Sequence, residues 1–162
     1  MASSKSKTLL IGSILGLSFI IATGFVTVGN TNELPGNPKE AAVSTFTQYM
    51  DAAKQNDYKE MVELSEDSRF TTVKARINFL KDNQTVLDYE IDSVDSSDPS
   101  NVVVTATMKF ADGELPPIEY NMAFENGKYK LQYRSVLVNL DGSVEYDAEV
   151  GPQNGYEEAY VK

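Results

Sequence analysis

Neither cysteine nor histidine occurs anywhere in the 162 residues. Without cysteine there is no disulfide framework, no thiolate metal site, no cysteine nucleophile and no lipid attachment through an N-terminal cysteine. Without histidine there is no base titrating near neutral pH, no Ser-His-Asp triad and no common zinc site. Ser65, Ser68, Ser93 and Ser135 therefore lack an activating imidazole, and no S-x-x-K or G-x-S-x-G pattern surrounds them. Tryptophan is absent too, whereas tyrosine is plentiful at nine. Basic residues are scarce, 14 against 24 acidic ones, for a net charge of −10. Such a field repels nucleic acid, and no basic patch with interleaved aromatics offsets it.

Charge is missing altogether from residues 8–28. Lys5 and Lys7 precede this apolar run, and the first acidic residue is Glu33. Positive charge before such a run orients the N-terminus inward and places the remainder of the chain outside. Two expectations fit. A cleaved signal peptide would use the small residues at Ala22-Thr23-Gly24. An uncleaved anchor, from Leu9 through Val28, would span roughly 30 Å, the thickness of a bilayer core. The apolar character continues past Gly24 through Phe25, Val26 and Val28, which favours the anchor. Gly12 and Gly16 form a GxxxG pair of the kind that lets two such helices approach closely. The expected organisation is signal or anchor over 1–29, linker over 30–37, one α+β domain over 38–150 and an acidic tail over 151–162.

Asn37, Pro38 and Glu40 read as a helix cap. Behind them Ala42, Val43, Phe46, Tyr49, Met50 and Ala53 recur at three- and four-residue spacing, so a helix is predicted to about Gln55. Asp57 and Glu60 open a second helix that buries Tyr58, Met61, Val62 and Leu64. A third is predicted from about Thr72 to Asp82, with Val73, Ile77 and Leu80 inward. The period then changes to two. Leu87, Tyr89 and Ile91 alternate with acids in a first strand, and Val102, Val104, Ala106, Met108 and Phe110 line a second. Ile118, Tyr120, Met122 and Phe124 line a third. Asn126-Gly127 is a strong hairpin signal, leading to Tyr129, Leu131, Tyr133 and Leu137 in a fourth. Asp141-Gly142 could turn into a fifth over 144–150. The expected fold class is α+β, with N-terminal helices packed on one face of a curved antiparallel sheet of four to five strands.

Residues 38–64, PKEAAVSTFTQYMDAAKQNDYKEMVEL, resemble the opening of the nuclear transport factor 2-like superfamily: a helix, an Asn-Asp-aromatic corner and a second helix. The meander ending in an Asn-Gly hairpin is also similar, and the likeness spans 37–138. Extracytoplasmic bacterial members are nearest in character. The resemblance implies a cone-shaped fold with a cavity at its open end. Its enzymatic members place an Asp-His or Arg-Asp pair there. No catalytic residue carries over, since histidine is absent and the charged residues of the core-forming elements fall mostly on polar faces.

Phe46, Tyr49, Tyr89, Tyr120 and Tyr133 fall on core-facing positions and are the expected cavity lining, where phenol groups near the mouth would meet a small ligand. Asp92, Asp95 and Asp98 precede a turn and could gather a hard cation, but lack the spacing of a calcium loop and read better as turn acids. Asn83-Gln84-Thr85 is a glycosylation sequon. No cofactor is expected. The expected function is a non-enzymatic, extracytoplasmic binding or interaction module with an envelope protein partner. The alternatives are a small-ligand carrier or weak enzyme using the cavity, or an accessory subunit of a secretion or conjugation machine.

Overall fold

The computed structural model describes residues 33–83, 85–138 and 143–147. The apolar run and the tail lie outside the described residues, as do the expectations placed on them. Among the described residues no helix is long and apolar enough to cross a membrane.

Helix α1 runs Pro38–Gln55. Asn37 caps it, its Oδ1 accepting from the Glu40 N–H at 3.3 Å while its Nδ2 donates to Glu40 Oε2 at 2.8 Å. The predicted stripe is the buried one: Ala42, Phe46, Tyr49, Met50 and Ala53. Asn56 ends the helix at φ 56, in the left-handed region, where its N–H reaches Ala52 and Ala53 carbonyls. Asp57 then caps α2, Tyr58–Glu63, by accepting from the Glu60 N–H at 3.2 Å.

Beyond α2 the chain departs from the expected helix-only N-terminal half. Ser65–Glu66 form a two-residue strand, β1, which pairs in parallel with β6, Lys128–Gln132. The Leu131 and Tyr133 N–H groups donate to the Leu64 and Glu66 carbonyls at 3.0 and 2.9 Å. The sheet is therefore mixed rather than purely antiparallel. Two residues are too few to carry an alternation, so no pattern announces this strand.

Helix α3, Val73–Asp82, is capped by Thr72. Its inward face is Ala75 and Leu80 with Ile77 and Phe79 half-buried, whereas Val73, expected inside, is 61% exposed.

Strands β2 (Asp88–Asp95), β3 (Asn101–Phe110), β5 (Ile118–Glu125) and β6 form the antiparallel body, with the short β4 (Gly113–Glu114) returning against the end of β3. Val102 stands opposite Met122, Val104 opposite Tyr120, and Met122 opposite Leu131. These inward side chains pack against α1 to make the core. In β2 the register slips between Ile91 and Ser93, so that Val94 rejoins the inner face opposite Val104. A bulge thus converts a spacing of three into same-side burial. Leu87 precedes the strand and is 56% exposed rather than inward.

The predicted fourth strand is divided. β6 stops at Gln132, and β7 (Ser135–Val138) pairs with β8 (Val144–Asp147) in a separate two-stranded sheet. The expected fifth strand therefore joins β7 and not the main sheet.

Candidate functional site

A cavity of about 550 Å³ opens between the second half of α1, α2, the end of α3 and the β3–β4 turn. Its walls are largely apolar: Met50, Ala53, Met61, Leu80, Val86, Met108 and Phe110. Three methionines in the lining, from α1, α2 and β3, give a pliable surface, because their unbranched thioethers adopt many shapes. The exposed lining residues, Asn56, Asn83, Thr85, Asp112 and Glu114, mark the mouth. There the Asn56 Oδ1 accepts from Tyr58 Oη at 3.1 Å and Thr85 Oγ1 at 3.0 Å. That pairing fixes the amide orientation and ties the α1–α2 corner to the segment after α3. Glu114 pairs with Lys109 at 3.9 Å.

Tyr49 and Tyr133 also line the cavity, and their hydroxyls are hydrogen-bonded to each other. Tyr49 is buried in α1, and Tyr133 is half-buried just past β6. Burial pushes the Tyr49 phenol well above its ordinary range, with the Tyr133 phenol adding to the effect. Burial also raises Tyr133, opposed by the Tyr49 hydrogen bond.

Tyr49 and Tyr133 are the two predicted lining residues that the fold brings together at the cavity. The other three lie elsewhere. Phe46 is fully buried in the core, its ring 5.3 Å from that of Tyr120 and 6.1 Å from that of Tyr89. The Tyr120 hydroxyl donates to Met108 Sδ at 3.5 Å. These three rings pack together between α1 and the sheet, and none of them lines this cavity.

Asp92, Asp95 and Asp98 act as strand and turn acids. Asp92 Oδ2 accepts from Thr107 Oγ1 at 2.9 Å, and Asp95 Oδ1 from the Ser97 N–H at 2.9 Å. Asp98 Oδ1 accepts from the Ser100 N–H at 2.8 Å and its hydroxyl at 2.7 Å. These bonds hold the Asp95 and Asp98 carboxyls below the usual range. No group of three or more metal-ligating side chains gathers among the described residues.

A buried charged cluster, by contrast, is one that the sequence did not announce. Asp67 and Arg69 are 6% and 7% exposed and form a bidentate pair at 2.8 and 2.7 Å. The Arg69 guanidinium lies 4.7 Å from the Phe79 ring centre and 5.7 Å from that of Tyr133. Arg76 donates to the Ser65 carbonyl and hydroxyl, both at 2.9 Å, and lies 3.8 Å from Glu66, which Lys130 also meets. None of these charged side chains is among the cavity lining. They anchor α3 and the 65–69 segment to β6.

The raised phenols set a pH dependence. In the unfolded chain a tyrosine ionises near 10.0, whereas the folded Tyr49 and Tyr133 keep their protons to higher pH. Above that point the folded state binds more protons, so stability falls as pH rises. Below it these two groups add no pH dependence. The urea midpoint is expected to drop on going from about pH 9 to about pH 11. The drop should be smaller when both tyrosines are phenylalanine, and an equal drop in that variant would contradict the assignment.

A solved structure similar to this chain is that of an NTF-2-like protein of unknown function from Burkholderia xenovorans LB400. Sequence identity is 12% and the TM-score is 0.43, with 77% of this chain and 96% of that chain covered. No protein-family model and no curated protein matches the chain.

Proposed function

We propose that the domain is a non-catalytic binding module for a small, largely apolar ligand, held outside the cytoplasmic membrane by residues 9–28. The observation that carries this is the cavity itself: about 550 Å³, apolar-walled, with a polar mouth. That volume falls within the roughly 300–1,000 Å³ range of small-molecule sites. Its polar lining includes two phenols kept neutral by burial, which donate hydrogen bonds and do not withdraw protons near pH 7. The extracytoplasmic placement rests on the uncharged run and the lysines before it. An envelope protein that delivers or receives the ligand would be the partner.

The test is to purify the full chain from its host membrane, extract it with solvent and identify the released small molecules by mass spectrometry. One apolar compound near equimolar amount is the expected result. Ala53→Phe and Met108→Trp each push bulk into the cavity and should lower its recovery. Equal recovery from both folded variants, or release of nothing beyond bulk lipid, would overturn the reading.

A further inference from the structure

The Tyr49–Tyr133 pair allows the ligand's chemistry to be narrowed, given the binding reading above. Each phenol has one proton to donate and can also accept. The bond between the two hydroxyls uses one of the two protons, whichever residue donates. Among the described residues neither hydroxyl has a further hydrogen-bond partner. One donor therefore remains on the pair, in a wall whose other inner residues, such as Met50, Met61 and Leu80, offer no good acceptor. An unmet donor in such surroundings is unfavourable, so an acceptor placed there is favoured over hydrocarbon.

We propose that the ligand carries a neutral carbonyl, as in a ketone, aldehyde or ester, which accepts the remaining proton of the Tyr49–Tyr133 pair while its hydrocarbon body fills the cavity. The charges nearby argue against a carboxylate. Arg69 is committed to Asp67, and Arg76 to Ser65 and Glu66. Neither arginine is therefore open to pair an anion, which would be desolvated without a counter-charge from them. It would also pass Asp112 and Glu114 at the mouth.

Three probes of one shape separate the possibilities: 1-tetralone, tetralin and the tetralin-2-carboxylate anion. Each is titrated calorimetrically into the full chain in detergent, with empty micelles subtracted. Tetralone is expected to bind about tenfold more tightly than tetralin, the factor that about 1.4 kcal/mol from one neutral hydrogen bond supplies. The carboxylate should bind most weakly. In the Tyr49→Phe/Tyr133→Phe variant both hydroxyls go and the shape stays, so tetralin affinity should persist while the preference for tetralone disappears. Equal binding of tetralone and tetralin to the unaltered chain would overturn the carbonyl assignment and leave the cavity as an apolar site. Tightest binding by the carboxylate would overturn the neutral class. Failure of all three to bind would overturn the ligand-binding reading as well. The comparison within the unaltered chain decides the matter even if the double variant does not fold.

Discussion

Replacing Asp67 with alanine is expected to destabilise the domain by about 3–5 kcal/mol, the cost of breaking a buried ion pair from one side. Arg69 is 7% exposed and cannot shed its proton. Without the carboxylate its guanidinium would lose both side-chain bonds, at 2.8 and 2.7 Å, and its own N–H would lose the Asp67 Oδ1 at 3.1 Å. The nearby rings of Phe79, Phe70 and Tyr133 offer cation–π attraction, worth about 0.5–2 kcal/mol, which already exists and does not grow when the acid is removed. Since a domain of this size is stable by about 5–15 kcal/mol in all, the loss would be plain in a urea titration. A fall below about 1 kcal/mol would mean that water reaches the guanidinium and the pair is not buried in solution.

The same reasoning fixes the control. An Asp67→Leu/Arg69→Met variant removes both charges and keeps most of the volume, so it should recover much of the loss. If it is as unstable as Asp67→Ala, the pair acts through the backbone shape of the 65–70 segment and not through charge. A double-mutant cycle separates the two, because residues in direct contact couple by about 0.5–3 kcal/mol.

That this pair went unseen in the sequence shows where pattern reading stops. Ser65 to Phe70 reads SEDSRF, as polar as any loop. Its acid and base stand two apart, and they close a bidentate pair only because the turn after β1 folds Arg69 back under the two phenylalanines. By contrast, features set by neighbouring residues were legible. Asn37 and Asp57 open the helices they were expected to open. Asn126 and Gly127 take φ of 52 and 82, the left-handed pair that a two-residue hairpin requires. Alternation also placed Val102, Val104, Ala106 and Met122 on the buried face. What alternation cannot supply is depth. Tyr49, Tyr89, Tyr120 and Tyr133 share the same inward pattern, yet only Tyr49 and Tyr133 reach the cavity. The difference lies in the gap left between the ends of α1 and α3 and the β3–β4 turn, which no local period encodes.

Phe46→Ala tests that division between core and lining. Phe46 has no exposed surface and stands among Tyr89, Tyr120 and the inner side chains of the sheet. Removing its ring opens a void in close-packed surroundings, so the expected cost is about 3–5 kcal/mol. Met108→Ala removes a half-buried side chain that already borders the cavity, so it should cost well under that. Ligand binding should move the other way: the folded fraction of Phe46→Ala keeps its affinity, while Met108→Ala loses some. Were Phe46 a lining residue, as its place on the helix stripe predicts, its truncation would weaken binding at little cost in stability. Urea midpoints and ligand titrations on the same two variants decide between these, because a ring that supports the fold and one that touches the ligand cannot give the same pair of results.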